Sequence, residues 1–158
     1  MSIWKDLYDI FENERSRWQK KGANKQALTF EIQCNLGFLA DALHSQLSQT
    51  EIIKRLEHSV FDQSISNGFS INSIRKKQVT DKTVGDFDEF KKYVNKDTEY
   101  LVKNSYSKIR SLSKLINANS NKDYSLRIKS LFRFLMLLVA HLEDRPLTKK
   151  PTNNTTCN

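Results

Sequence analysis

Two sets of side chains in this chain have the types and spacing to do chemistry: a series of cations and a trio of histidines. Arg75, Lys76 and Lys77 stand in a row, while Lys92, Lys96, Lys103, Arg110 and Lys114 recur at helical intervals on the side opposite a run of apolar residues. Spaced positive charge of this kind is what a phosphate backbone requires, because neutralising phosphates releases condensed counterions without any reading of bases. The same lysines also suit the solvated face of an amphipathic helix. Charge placement bears on the choice: residues 1–102 hold 15 Lys and Arg against 15 Asp and Glu, and residues 103–158 hold 11 against 3. The whole formal excess of +8 therefore lies in the C-terminal third, which suggests an anionic partner such as nucleic acid, a membrane surface or an acidic protein face.

The histidines, His44, His58 and His141, lack metal-binding spacing, and no HExxH or HD pair is present, so no metal site is expected. Gly22, Gly37, Gly68 and Gly85 are isolated, so neither a dinucleotide fingerprint nor a phosphate-binding P-loop can be written and no cofactor is expected. Cys34 and Cys157 are far apart with no CxxC, which argues against a disulfide framework or a zinc site. Arg133 and His141 are the one catalytic pair worth weighing. An arginine followed on a late helix by a histidine resembles the HEPN-type helical ribonucleases, which carry a polar residue after the arginine and the histidine about five residues further on. Here seven residues intervene and Phe134 follows the arginine. The resemblance implies at most an RNA-cleaving pair formed across a dimer, and it transfers no catalytic role.

Those residues have to be positioned by helices. Four glycines and two prolines are too few for the tight turns of an all-β fold, and the apolar residues recur with a period near 3.6. The stretch Tyr124–Asp144 is apolar on every side between Leu131 and Leu142 except at Arg133 and His141, the pattern of a core helix. A membrane span needs about 20 apolar residues, and Arg127, Lys129 and Arg133 interrupt this one. Earlier helices are expected from Ser2 to Gly22, with Trp4, Leu7, Tyr8, Phe11 and Trp18 on one face, and from about Asn24 to Leu47. Ser48 and Glu51 form a capping box that opens a helix running to about Ser64. Residues 66–85 read as a mobile loop with one short helix from Ser73 to Gln78, and a single long helix follows from Asp86 to about Ala118. Asp123 is placed to cap the core helix, and Glu31 and Asn35, one turn apart on the second helix, read as its wet edge.

The expected fold is all-α, a single-domain antiparallel helical bundle of about five helices over residues 1–145, followed by a disordered polar tail, 146–158. The N-terminus has no basic segment leading into an apolar block, so a cytoplasmic location with reduced thiols is expected. With no motif for chemistry and a surplus of apolar helix surface, the leading expectation is a non-enzymatic interaction module that binds a protein partner or a second copy of itself. The alternatives are RNA or DNA binding by the basic third and, behind it, the HEPN-like ribonuclease. No membrane association is expected.

Overall fold

The computed structural model describes residues 3–20 and 26–149, including the side chains of 4–15 and 26–149. Seven α-helices follow one another without a strand among the described residues: α1 (Ile3–Lys20), α2 (Ala27–Ala42), α3 (Gln49–Lys54), α4 (Ser59–Ser66), α5 (Asp81–Val84), α6 (Thr98–Ala118) and α7 (Ser125–Glu143). Two 3-10 turns, Ile71–Ser73 and Asp88–Tyr93, lie before and after α5. The expected Ser2 cap, the Gly22 terminator, the Trp18 side chain, Lys150, Cys157 and the tail beyond residue 149 lie outside the described residues.

Helix α7 is the core element that its composition demands. Every residue from Phe134 to His141 is buried, and α1, α2, α5 and α6 all pack against it. Burying a Leu or Phe fully contributes about 1.5–3 kcal/mol, so this helix carries much of the fold's stability. Trp4 lies edge-on to Phe132 with ring centroids 4.3 Å apart, which brings α1 onto the core. Among the described residues most of the apolar side chains are taken up internally, and the exposed large ones, Phe30, Ile65, Tyr100 and Leu126, sit on four different helices. No helix among the described residues is long and apolar enough to cross a membrane.

Two expected helices are broken, each by side chains from elsewhere in the chain. The helix expected over 51–64 ends at Lys54 and restarts at Ser59. Asn35 of α2 exchanges two hydrogen bonds with the backbone of Glu57, at 2.7 and 2.8 Å, and Glu31 accepts the N–H groups of Val60 and Phe61. Both side chains are buried rather than a wet edge. The capping box at Ser48 and Glu51 forms as its spacing predicts.

The long helix expected from Asp86 begins only at Thr98. Asn95 has φ of 72°, a left-handed conformation that ends any helix. Asn95 N–H donates to the Val79 carbonyl and Val79 N–H to that of Lys96, which ties residue 79 to the break. Asp97 then caps α6 by accepting Tyr100 N–H, and Asn72 bonds both Asp97 and the Glu99 N–H. The segment 66–85 therefore contributes to the core through Ile71, Val79 and Val84, and its short helices fall on either side of the Ser73–Gln78 expected.

Residues 146–149 are likewise docked, in contrast to the free tail expected from residue 146 onwards. Leu147 is buried, its N–H donates to Thr83 and its carbonyl accepts Asp86 N–H. Gly85 makes that approach feasible. It has φ of 57°, and a Cβ built on it would stand 2.2 Å from the Leu147 oxygen. Gly85→Ala is expected to cost about 2–3 kcal/mol through combined backbone strain and overlap. Urea denaturation checks this; a loss below 0.5 kcal/mol, on the order of an ordinary surface change, would refute the close approach.

Candidate nucleic-acid interface

Helices α6 and α7 are consecutive and latched together at the turn between them. The Tyr124 hydroxyl lies 3.0 Å from the Leu115 carbonyl, which also accepts the Asn119 N–H, and 2.8 Å from the carbonyl of Asn119, at the C-terminal end of α6. Asp123 accepts the Ser125 N–H and the Gln49 side-chain amide, and Gln49 in turn accepts the Tyr124 N–H. Asp123 is thus not the N-cap expected of it, since that residue is Tyr124, but from one position earlier it still accepts the first N–H of α7, with α3 as a second support.

On this frame three grooves run side by side across the outer face. One, of about 370 Å³, lies between α4 and α6 and is lined by Lys103, Arg110 and Lys114 together with Ser107 and Ser111. The second, about 320 Å³, lies between α6 and α7 and shares those two serines; Asn104, Lys108, Arg127 and Ser130 complete its polar lining. The third, about 100 Å³, shares Lys108 and Ser130 and adds Lys92, Arg133 and Glu89. The shared residues make the three neighbours on one face.

The charges on this surface divide into paired and unpaired cations. Arg110 binds Asp62, whose carboxyl is held below its usual range by the His58 hydrogen bond and then by Arg110 itself. Lys103 pairs with Glu99 at 2.8 Å and Arg133 with Glu89 at 3.7 Å. Lys92, Lys108, Lys114 and Arg127 have no carboxylate within ion-pair distance among the described residues. Lys108 is the most enclosed of them, its ammonium 5.4 Å from the Phe134 ring centroid. Burial, and then the like charges of Lys92 and Arg127, hold its pKa below that of an ordinary lysine.

Of the cations singled out in the sequence, Lys103, Arg110 and Lys114 share one flank of α6 as expected. Lys92 does not extend that ridge, because the chain breaks at Asn95; it stands on the 3-10 turn beside Lys108 instead. Lys96 lies in the break itself, over the exposed Tyr100 ring at 4.9 Å. Arg75 is committed elsewhere, paired with Asp144 at 2.9 Å, and Lys76 and Lys77 are exposed without lining any of the three grooves.

Lys108 and Arg127 were not anticipated. Their signal was present in the sequence as a polar line, Asn104, Lys108 and Ser111, meeting Arg127 and Ser130 across a short linker.

Arg133 and His141 are not brought together. Arg133 opens to the third groove, whereas His141 is 1% exposed with its Nε2 against Thr98 Oγ1 at 2.7 Å. Among the described residues no three His, Cys, Asp or Glu side chains are placed to hold a metal ion. Compared with protein-family models, curated proteins and solved structures, the chain matches none, so this face has to be read from its own chemistry.

Proposed function

We propose that the protein binds a nucleic-acid strand through the outer face of α6 and α7, by contacts to phosphates rather than to bases. The observation that carries this reading is the set of adjoining grooves in which Lys92, Lys108, Lys114 and Arg127 have no carboxylate partner among the described residues. Lys103 and Lys114 are three helical turns apart, about 16 Å at 1.5 Å per residue, so the row spans several nucleotides. Arg110 and Lys103 hold exposed ion pairs, which are worth about 0–1 kcal/mol; both exchange readily for phosphate oxygens. Ser107 and Ser111 on the crest offer neutral donors to the same strand. Among the described residues the exposed aromatic on α6 is Tyr100, so base stacking contributes little and sequence preference is weak. A protein partner or self-association is the alternative reading, for which the exposed large apolar side chains among the described residues, Phe30, Ile65, Tyr100 and Leu126, are the available anchors.

Binding of a single strand should weaken steeply with salt, with a log–log slope of about −3 to −4 for four to six phosphate contacts. Arg110→Glu with Lys114→Glu is expected to reduce affinity for single-stranded RNA or DNA at least about tenfold and to flatten that slope by about 2. Lys76→Glu with Lys77→Glu, which changes the charge equally away from the grooves, should cost much less. Fluorescence anisotropy over a salt series measures both, and equal losses for the two pairs would reduce the effect to net charge alone.

A further inference from the structure

We infer that the groove between α6 and α7 is a seat for a phosphomonoester, the terminal phosphate of a nucleic-acid strand, with Lys108 and Arg127 as its anchors. The inference rests on the nucleic-acid reading for the source of the phosphate, but the recognition chemistry belongs to the groove alone.

The groove's polar lining is rich in donors and contains no carboxylate: Lys108, Arg127, Ser107, Ser111, Ser130 and Asn104. Lys108 and Arg127 put two positive charges in this groove, and Lys92, in the adjoining third groove, lies within electrostatic reach of Lys108. An internal phosphodiester carries one negative charge and two free oxygens. A monoester carries about −1.5 to −2 and three strongly accepting oxygens, which answers the two cations and the number of donors far better. An ammonium supplies three donors and a guanidinium five in a planar fork, the arrangement suited to several oxygens on one centre. Keeping like charges together in a partly enclosed groove disfavours the empty state, and a bound dianion removes that penalty. At about 320 Å³ the groove exceeds a phosphate alone and falls at the lower end of small-ligand sites, leaving space for the sugar that carries the group.

The test compares a short single-stranded oligonucleotide bearing a 5′-phosphate, its 3′-phosphorylated twin, its unphosphorylated twin and inorganic phosphate. Each is titrated against the full chain at fixed ionic strength, by anisotropy for the oligonucleotides and by calorimetry for inorganic phosphate. One phosphorylated end is expected to bind about tenfold tighter than the unphosphorylated twin, the gain of a charge-assisted bidentate contact. Lys108→Met should abolish that preference and weaken the unphosphorylated strand only by the loss of one of its roughly four to six phosphate contacts. Arg127→Gln, at an exposed position, gives the same readout should Lys108→Met fail to fold. Equal affinity for all three strands overturns the seat and leaves the nucleic-acid reading standing. Inorganic phosphate bound in a Lys108-dependent way, with no strand bound, supports the seat and removes that reading. No binding of any probe overturns both.

Discussion

Glu31→Ala is expected to destabilise the protein by about 4 kcal/mol, within the range for breaking a buried charged network. Glu31 is 2% exposed and lies on α2, yet its work is done at the start of α4. The N-cap residue of α4, His58, offers no side-chain cap and instead bonds Asp62 at 2.7 Å. Two of the free N–H groups of that helix, those of Val60 and Phe61, are satisfied by the Glu31 carboxylate at 2.8 and 3.2 Å. A carboxylate there also faces the positive end of the helix dipole.

The Tyr106 hydroxyl donates to Glu31 Oε1 at 2.8 Å, and the Tyr106 ring stacks on Phe61 with centroids 4.1 Å apart. Burial, and then the Glu31 hydrogen bond, hold the phenol far above its usual pKa, so it remains a donor throughout the range of stability. Alanine at residue 31 would leave three donors unsatisfied across α4 and α6. Glu31→Gln should cost less, about 2 kcal/mol, because one carbonyl oxygen survives, and Tyr106→Phe about 1 kcal/mol, the worth of one hydrogen bond. Urea unfolding of the three variants and the Glu31→Ala/Tyr106→Phe double variant checks this. Additive losses in the double variant would show that Glu31 and Tyr106 are not coupled.

That network also explains which parts of the molecule could be read from the sequence. Helix α7 was legible because an apolar run is a local property: no folding partner is needed to see that Leu131–Ala140 must be covered. The Ser48–Glu51 box was legible for the same reason, both residues of the device lying within one turn. The breaks at Arg55–His58 and Asn95–Asp97 were not, because their causes are distant in sequence: Glu31 and Asn35 act on residues 57–61, and Asn72 acts on 97–99. A helix-period pattern runs straight across both breaks, since 3-10 turns and short helices keep nearly the same apolar spacing.

The basic row divides likewise. Lys103, Arg110 and Lys114 were found because they share one helix. The α6–α7 groove was missed because it takes two helices to build, and Lys108 seen on α6 alone looks like any surface lysine. Arg75 was misgrouped with its neighbours Lys76 and Lys77, since adjacency in sequence carries no information about its partner Asp144.

Arg75 also belongs to the second large expected effect, a loss of stability on mild acidification that runs through His141. The Thr98 hydroxyl has one proton and gives it to the Arg75 carbonyl at 3.0 Å, so the Nε2–H of His141 must donate to Thr98 Oγ1. Nδ1 is then the acceptor nitrogen, buried and without a hydrogen-bond partner among the described residues. A second proton placed there would be a buried charge with nothing to receive it. Burial first, and then the positive charge of Arg75, push His141 down to about 4, against the smaller opposing pull of Asp144 and Asp97.

The folded value lies below the unfolded one of about 6.5, so between these two pH values the unfolded chain binds the extra proton and the folded chain does not. Stability from the neutral ring is present in full above pH ~6.5 and is lost as pH falls towards ~4, by roughly 3 kcal/mol in total. His141→Gln removes the titrating group and keeps an amide donor for Thr98. The wild type is expected to lose roughly 3 kcal/mol more than this variant between pH 7 and pH 4 in urea unfolding, after the carboxylates common to both proteins cancel. Parallel pH profiles for the two proteins, or a His141 ring proton resonance titrating near the ordinary histidine value, would show that the ring accepts its second proton in the folded state and that the Thr98 arrangement does not hold.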